Sequence, residues 1–567
     1  MKKLLLQTLL IASVLSVKAQ IMMEIGDRKY DISTIDSIVF VKTELPSATT
    51  IMNNSGEYSI FAEALRKTGL ADSLLTHERG KIYEMNNPTD RDHIPLYYPQ
   101  ACNIGFTLFA EKDDVLRAAG INSFNELAEK CKEWYGNPTW YDLIGEQGIK
   151  ISTGNDFTNE WNVVHMFVAY HIIRAKIQVD ELVYELNYNT RSSWNYCFGY
   201  EPQAYYETML KGTLLKIWQT NPKTTKELWI NRYLKNNTLT DQYATFGSET
   251  MHPLIYSGAR IYRDNSLEAL NACIHSIDKV LLYDQNAHDA QHERMRFHVN
   301  QMLPELGTNG FMRATPNEIS ILNGGGNGTR MAFPTDYFDN LHFYSPNAAL
   351  RYCVMGPWRA LESTQIQGWN ENDYYSDFAI RLPRVPSGQY EIRYLYPPMS
   401  SGGEIEFYIG NDSTQSSMKK LSALNTAENP YDGNMGYEDI DADEEKYGIE
   451  SGKAMRQKGF MYAPASFSRG TYNIITDPLA YDASDPYSAC RQMTGSTSCR
   501  TEGGYGILML RYIVATVDMK QGQDCWLRLK VNPREGDIGA LVLWNMNFIE
   551  LVPTDVADNA VYMEDWY

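Results

Sequence analysis

The stretch that decides the fold is EWNVVHMFVAYHIIRAKI, residues 160–177. Nearly every position in 161–173 is apolar or aromatic, and a helix that is apolar all round is buried in a domain core. Residues 158–160 supply the capping and acidic signals of a helix start. The run is too short and too interrupted by polar groups to span a bilayer. We therefore predict a buried central helix that carries Tyr170 and His171 past its middle.

The composition limits the classes of partner. The chain has 567 residues, and at roughly 100–200 residues per domain this length predicts several folded units. The hydrophobic fraction of 43% allows sizeable cores. The net charge of −19 argues against a nucleic-acid partner, which requires a basic face, and provides no polybasic attraction to anionic lipid.

The N-terminus has the pattern of a secretory signal peptide over residues 1–19. Two lysines open it, an apolar run follows, and Val17 and Ala19 place small residues before a cleavage point at Gln20. No cysteine follows this point, so a lipoprotein anchor is not indicated, and no other apolar run is long enough for a transmembrane segment. We expect an exported protein that is periplasmic, outer-membrane-associated or extracellular.

Cysteine use does not indicate a disulfide scaffold. Eight cysteines are spread thinly, and no C-x-x-C occurs, so a zinc ribbon or redox motif is unsupported. Cys490 and Cys499 flank a short polar loop and form the one disulfide candidate. The other six have the character of small core residues.

Periodicity divides the rest of the chain. Alternating apolar and polar residues over 20–45 predict a β-ribbon, and 46–50 a linker. Helices are predicted over 58–75, 115–119, 124–134 and 286–306, and strands over 102–110, 228–231 and 272–282. From residue 309 onward, short apolar runs divided by Pro, Gly, Asn and Asp predict a β-sandwich.

Four stretches in the first half resemble motifs of fasciclin-like domains. They are FAEALRKTGLADSL at 61–74, TLFA at 107–110 followed by Asp113 and Asp114, the Tyr170-His171 pair, and IHSIDKVLL at 274–282. The resemblance implies an α+β fold with a β-wedge and a helical cap, and it implies an adhesive role for the Tyr-His region. Glu111 and Lys112 stand where the family usually has Pro-Thr.

The second half resembles a galactose-binding-like jelly roll of the carbohydrate-binding-module type. The resemblance rests on LPRVPSGQYEIRYLY at 382–396, WLRLKV at 526–531 and LVLWNMNFIELVP at 541–553. These stretches are also similar to the C-terminal half of exported fasciclin-like proteins of Bacteroidetes. The expected fold class is an α+β fasciclin-like domain followed by an all-β jelly-roll sandwich.

The chain is expected to divide into six parts. They are a signal peptide (1–19), an N-terminal β-ribbon and linker (20–50), a fasciclin-like domain (51–285), a connecting helix (286–307), a β-sandwich (308–553) and a C-terminal tail (554–567).

The candidate binding residues lie in two places. His171 with its neighbour Tyr170 is either a ligand contact or a hydrogen-bonded structural histidine at the edge of the core. In the loop 367–377, Trp369, Tyr374 and Tyr375 offer aromatic rings that stack on sugars. Such rings also fill sandwich cores.

Two metal patterns are incomplete. His288, His292 and His298 have zinc spacing on a predicted helix, but Asp289 stands where the general-base glutamate belongs. A solvated helical face is the favoured interpretation. We expect no zinc here.

Asp439, Asp441 and Asp443 have the spacing of a calcium loop, but its turn-forming glycine is replaced by Glu444. A solvated acidic insertion is the favoured interpretation. No cofactor is predicted, and no residue is singled out as catalytic.

The leading functional hypothesis is an exported, non-enzymatic adhesion or glycan-binding protein of the cell envelope. Its partner would be an extracellular glycan or an envelope or matrix protein. The alternatives are a glycan-degrading hydrolase with an unrecognised carboxylate pair and a purely structural envelope component. A cleft with two facing carboxylates favours the hydrolase, and a flat exposed aromatic patch favours binding.

Limited proteolysis tests the predicted organisation. Loops near 320–330 and 425–450 should be cut before either core, because exposed polar loops are the preferred sites of nicking. Peptide mapping over a digestion time course gives the order of cuts. Early cuts inside 161–173 would contradict a buried central helix.

Overall fold

A computed structural model describes the following parts of the chain: residues 22–25, 28–31, 45–85, 88, 95–146, 148–183, 198–199, 203–219, 227–234, 254–312, 314, 316–322, 330–344, 349–354, 360–361, 364–369, 377–396, 403–426, 456–462, 510–532 and 545–557. The chain divides into two compact units, Met1–Leu45 and Pro46–Tyr567. In the first unit, Met22–Ile25 pairs antiparallel with Arg28–Asp31, which is the ribbon that the alternation predicts.

The described helices of the second unit are short and mostly precede the β-rich part. The α-helices are Ala48–Ser55, Ser59–Lys67, Leu70–Ser73, Asp113–Ala118, Phe124–Tyr135, Asp142–Glu146, Val163–Tyr170, Gln285–Asp289, Val299–Met302, Pro304–Thr308 and Pro316–Leu322. Val179–Glu181 and Gln415–Ser417 are 3₁₀ turns. The predicted linker over 46–50 instead contains the start of a helix, because Ser47 caps the backbone N–H of Thr50 at 3.3 Å. None of the described helices is long and apolar enough to cross a membrane.

A seven-stranded sheet forms the centre of the first half. Its strands, in spatial order, are Ile172–Ile173, Phe106–Glu111, Ala272–Ile277, Ala259–Glu268, Leu228–Ile230, Leu214–Gln219 and Gln203–Glu207. An antiparallel bridge between Ile173 and Thr208 links the two edges, so the sheet curls round on itself. We call this sheet the barrel. The bridge brings together the two edges that would otherwise present unpaired backbone groups.

Two stretches singled out in the sequence pair directly within the barrel. Phe106–Glu111, which contains TLFA, runs parallel to Ala272–Ile277, with Leu108 opposite Ile274. Every position of both strands is buried. A parallel pair buried in this way is typical of near-continuous apolar strands covered on both faces.

The central helix is shorter than the predicted 160–177. It spans Val163–Tyr170, and all its residues except His165 are buried. The Asn162 side chain accepts a backbone N–H of the first turn at 2.9 Å and so fixes the start. The helix ends early because Ile172–Ile173 pairs with the strand that carries TLFA, and β-branched side chains favour that conformation.

The single helix predicted over 286–307 is wrong. The segment contains three short helices and one strand, which are Gln285–Asp289, Met295–His298, Val299–Met302 and Pro304–Thr308. Met295–His298 pairs antiparallel with Phe548–Pro553, more than two hundred residues away. This tertiary pairing overrides the local helical pattern.

The second half is built from sheets. One five-stranded sheet, which we call the arginine sheet, contains Met295–His298, Phe548–Pro553, Gly388–Tyr396, Leu510–Met519 and Phe460–Tyr462. Another, the companion sheet, contains Leu341–Phe343, Asp377–Leu382, Cys525–Asn532, Glu404–Gly410 and Lys419–Asn425. A four-stranded sheet contains Arg330–Phe333, Ala349–Val354, Thr364–Trp369 and Asn545–Met546.

Two further strand pairs complete the described sheets. Tyr233–Leu234 pairs with Leu254–Tyr256, and Phe198–Gly199 pairs with Ala360–Leu361.

The two five-stranded sheets contact each other through aromatic rings. Phe407 of the companion sheet lies 5.4 Å from Tyr394 and 5.9 Å from Tyr512 of the arginine sheet, between ring centroids. The chain is therefore a mixed α/β protein with substantial β-sheet content and sandwich-like sheets.

The first and second halves approach very closely at two glycines. Gly212 and Gly522 both adopt positive φ, and a Cβ added to Gly212 would lie 2.6 Å from the backbone nitrogen of Gly522. Gln521 donates from its side-chain amide to the Gly212 carbonyl at 3.0 Å and to the Tyr283 hydroxyl at 2.8 Å. Only residues without a side chain allow this backbone contact.

Glu550 connects strands of the arginine sheet through buried ion pairs. Its carboxylate, which is fully buried, contacts Arg296 at 2.9 Å, Arg511 at 3.1 Å, Arg393 at 3.5 Å and Arg294 at 3.6 Å. Burial opposes ionisation of Glu550, but the surrounding guanidinium groups hold its pKa well below the usual range. The carboxylate is therefore ionised at neutral pH and neutralises buried positive charge.

Replacement of Glu550 by Gln tests this role. The variant should lose about 3–5 kcal/mol in free energy of unfolding at pH 7, because it leaves buried arginines without their anion. Urea denaturation measures the loss, with Glu84→Gln as the control at an exposed position.

The pH dependence of the free energy of unfolding, compared between wild type and Glu550→Gln, is a second test. A carboxylate whose folded pKa is depressed contributes its full stability above the unfolded pKa of about 4.3, and this contribution is lost as pH falls toward the folded pKa. The stability difference between wild type and Glu550→Gln should therefore shrink when the pH is lowered below about 4. A difference that is small at pH 7, or that grows in acid, would contradict the ion-pair account.

Candidate functional site

An open cleft of about 710 Å³ lies where the barrel meets the second half of the chain. One wall is the barrel seam, where the bridge between Ile173 and Thr208 joins the two edges of the barrel. The other walls come from the helix Pro304–Thr308, the turn before Leu341–Phe343 and the companion sheet. The lining residues are mostly polar or charged: Ser73, Thr76, Arg79, Asn103, Ile104, Gly105, Phe106, Glu160, Ile173, Arg174, Ala175, Ile177, Tyr206, Glu207, Thr208, Met209, Lys211, Asn300, Gln301, Pro304, Glu305, Thr308, Asp339, Asn340, Arg381 and Arg384. This volume matches that of small-molecule sites, which is about 300–1,000 Å³.

One charged group in the cleft, which we call the Arg79 cluster, consists of Arg79, Glu305 and Asp339. A single guanidinium nitrogen of Arg79, Nη2, contacts Glu305 Oε1 at 2.7 Å and Asp339 Oδ2 at 2.8 Å. Arg79 also donates through Nη1 to the Tyr337 carbonyl at 2.8 Å. Two carboxylates therefore share one cation, and they lie close together.

The two carboxylates of the Arg79 cluster differ in environment. The Glu305 side chain is 4% exposed, whereas that of Asp339 is 78% exposed. Glu305 Oε1 also accepts the backbone N–H of Asp339 at 2.9 Å. Glu305 Oε2 is buried and has no hydrogen-bond partner among the described residues. Burial raises the pKa of Glu305.

A second group, the Glu207 cluster, consists of Glu207, Arg381 and Arg384. Arg381 donates through Nη1 and Nη2 to the two carboxylate oxygens of Glu207, at 2.9 and 2.5 Å. The backbone N–H of Arg384 donates to Glu207 Oε1 at 2.9 Å. Burial alone would raise the pKa of Glu207, but the two arginines lower it. Glu207 is therefore ionised, and each of its carboxylate oxygens is paired with an arginine.

Two cations at the cleft remain available to a ligand. Arg174 and Lys211 are exposed, and neither pairs with a carboxylate of the described residues. Long cationic side chains of this kind donate hydrogen bonds to hydroxyl, carboxylate or phosphate groups. The cleft thus offers the exposed hydrogen-bond donors of Arg174 and Lys211, and the buried oxygen Oε2 of Glu305, which has no partner among the described residues.

Tyr170 and His171 do not line this cleft, and both are fully buried. His171 Nδ1 donates to the Phe167 carbonyl at 2.7 Å, and Nε2 lies 2.9 Å from Glu111 Oε1. Because a carbonyl only accepts, Nδ1 carries a proton. The contact with Glu111 is then either imidazolium with carboxylate or imidazole with carboxylic acid. Glu111 Oε1 also accepts the Leu281 N–H at 2.8 Å, so the pair links the end of the central helix to the strand Phe106–Glu111 and to the segment that follows Ala272–Ile277.

The three histidines with zinc spacing do not share a helix. His288 lies on Gln285–Asp289, His292 follows that helix, and His298 ends a strand. His298 is buried, and its Nε2 contacts the Asn547 side chain at 2.9 Å. In the part of the chain that the structure describes, no group of three or more His, Cys, Asp or Glu side chains is arranged to hold a metal ion.

Trp369 ends the strand Thr364–Trp369, opposite Ala349. The remaining predicted candidates lie outside the described residues: Tyr374, Tyr375, Asp439, Asp441, Asp443, Cys490 and Cys499.

The charged residues of the cleft are not among the candidates that the sequence predicts. Arg79, Glu207, Glu305 and Arg381 are far apart in the chain, with Arg79 in a loop and the other three on two strands and a helix. No local spacing connects them. The one available signal was charge within otherwise apolar surroundings, as in QMLPEL around Glu305.

Replacement of His171 by Ala tests the buried pair. The variant should lose about 1–3 kcal/mol in free energy of unfolding from the hydrogen bond alone, because Glu111 is left buried with fewer partners. Thermal unfolding measures this, with the exposed His77→Ala as the control. An unchanged melting temperature together with loss of ligand or cell binding would instead establish a direct contact role for His171.

The sequence matches no family model, and it matches no curated protein at a significant level. The function must therefore be argued from the geometry of the cleft and from the resemblances in the sequence.

Proposed function

We propose that the protein is an exported, non-enzymatic adhesion or glycan-binding protein of the cell envelope and that its ligand binds in the cleft. The observation that carries this proposal is the polar lining of an open cleft of about 710 Å³. Saccharides present many hydroxyl groups, each of which both donates and accepts hydrogen bonds. A wall of amide, hydroxyl, guanidinium and carboxylate groups matches that chemistry.

The apolar part of the lining supports the same ligand class. Phe106 and Tyr206 line the cleft together with aliphatic residues of the barrel seam. Binding sites of this size combine apolar surface with a few polar groups that fix the orientation of the ligand. A sugar ring has an apolar face and a polar rim, so it fits both kinds of surface.

The proposed fold is a fasciclin-like domain followed by a galactose-binding-like sandwich. In support, the stretches that resemble the two fasciclin-like boxes lie on adjacent parallel strands. The helix that carries Tyr170 is joined to them through the Glu111–His171 contact at 2.9 Å. The signal-peptide pattern over residues 1–19 supports export.

A glycan-degrading hydrolase is the second candidate, and one observation favours it. Glu305 and Asp339 share the Arg79 nitrogen, one buried with a raised pKa and the other exposed. Glycosidases use a carboxylic acid that protonates the leaving oxygen and a carboxylate that activates water or attacks the sugar. In such a reaction Glu305 would be the acid and Asp339 the carboxylate. Release of reducing ends from oligosaccharides, abolished by Glu305→Gln, would establish this activity.

A glycan array followed by calorimetry tests the binding proposal. The mature protein should bind at least one glycan, and the double variant Arg174→Ala/Lys211→Ala should weaken binding at least tenfold. Hydrogen bonds to charged groups contribute about 1.5–3 kcal/mol each, and 1.4 kcal/mol corresponds to tenfold in Kd.

The matched control is Arg66→Ala/Lys150→Ala, which removes the same charges from exposed positions outside the cleft lining. An equal loss of glycan affinity in both double variants would indicate that the net charge of the protein, rather than a site in the cleft, governs binding. If the folded protein binds no glycan, adhesion through protein contacts becomes the better account.

A further inference from the structure

The most unusual polar atom of the cleft is Oε2 of Glu305. The Glu305 side chain is 4% exposed, and Oε2 has no hydrogen-bond partner among the described residues. The other oxygen, Oε1, is occupied by Arg79 at 2.7 Å and by the Asp339 N–H at 2.9 Å. A buried polar atom without a partner costs about 1–3 kcal/mol, so a ligand group that pairs with it gains affinity.

We propose that Glu305 determines the ligand specificity of the cleft, with Oε2 pairing with a hydroxyl group of a neutral saccharide. This inference rests on the proposed function and names the ligand class of the same site. Glu305 is then a binding residue that recognises a hydroxyl group through a hydrogen bond.

A hydroxyl group fits because it matches Glu305 in either protonation state. If the carboxyl group is ionised, the hydroxyl donates to Oε2. If the carboxyl group is protonated, a state that burial favours, the hydroxyl accepts from it. An ammonium group has three donors and no acceptor, so it pairs only with the ionised form.

An acidic sugar fits less well at this end of the cleft. The guanidinium of the Arg79 cluster is already paired with oxygens of Glu305 and Asp339, so it offers no free cation to a third carboxylate. Arg381 and Arg384 are not free either, because Glu207 already pairs with Arg381 at 2.5 Å and Asp524 with Arg384 at 2.7 Å. A neutral saccharide needs no free cation at this end of the cleft, and Arg174 and Lys211 can donate to its hydroxyl groups.

The test uses the full mature chain and a fixed panel of tetrasaccharides in calorimetry. The neutral probes are cellotetraose, xylotetraose, mannotetraose and maltotetraose, and the charged probes are the glucosamine and galacturonic acid tetramers. The wild-type protein should bind a neutral probe more tightly than either charged one. Tighter binding of the glucosamine tetramer would overturn the hydroxyl assignment, and this comparison needs no variant.

Two substitutions at Glu305 sharpen the test. Glu305→Leu should weaken binding of the neutral probe at least tenfold. Glu305→Gln should recover most of that loss, because its amide can still accept from Arg79 while its NH₂ group pairs with the hydroxyl. Asp336→Leu is the matched control, since Asp336 is an exposed acid three residues before Asp339 that does not line the cleft.

The outcomes separate this inference from the proposed function. Neutral-probe binding that survives Glu305→Leu unchanged would mean that solvent pairs with Oε2, and it would overturn the role of Glu305 alone. Absence of binding to every probe and to the whole array would overturn the glycan-binding proposal itself. If Glu305→Leu fails to fold, the role of Glu305 is tested by the affinity of Glu305→Gln for the neutral probe and by the affinities of the wild-type protein across the panel. Loss of neutral-probe binding in folded Glu305→Gln would contradict hydroxyl recognition.

Discussion

The bidentate ion pair between Glu207 and Arg381 is the constraint on which the cleft depends. Glu207 ends an edge strand of the barrel, and Arg381 lies on the companion sheet, so the pair connects the two halves of the chain. A largely buried ion pair of this kind adds little net stability, because desolvation offsets the Coulomb attraction. Its two parallel hydrogen bonds at 2.9 and 2.5 Å instead fix how the two surfaces face each other.

The close backbone contact of Gly212 with Gly522 and the Glu207 pair hold the same two halves at different points. With the halves fixed, the Arg79 cluster is held in place as well, because Arg79 comes from a loop, Glu305 from a helix and Asp339 from a turn, all distant in the chain. Side chains that are already held by ion pairs lose little further freedom when a ligand binds. A preorganised polar cleft of this kind favours recognition of a hydroxyl-rich ligand.

Much of the local structure could be predicted from the sequence, whereas the cleft could not. The helix Phe124–Tyr135 and the strand Ala272–Ile277 follow from periodicity and a Ser123 cap. The pattern over 286–307 is misleading, because pairing with a distant strand outweighs helical spacing there. The cleft residues are joined only by tertiary contacts, so no spacing rule identifies them. Glu305 illustrates this, since its partner Arg79 lies over two hundred residues earlier in the chain.

Hydrogen–deuterium exchange of the mature protein, with and without a saturating tetrasaccharide that binds it, tests the central claim most directly. The account predicts that protection concentrates in peptides covering residues 173–177, 206–209, 300–308 and 339–340, which meet at the cleft. Peptides from the central helix should change little, because they are already buried. Protection confined to other surfaces, with the cleft peptides exchanging at the same rate as before, would contradict the cleft as the binding site.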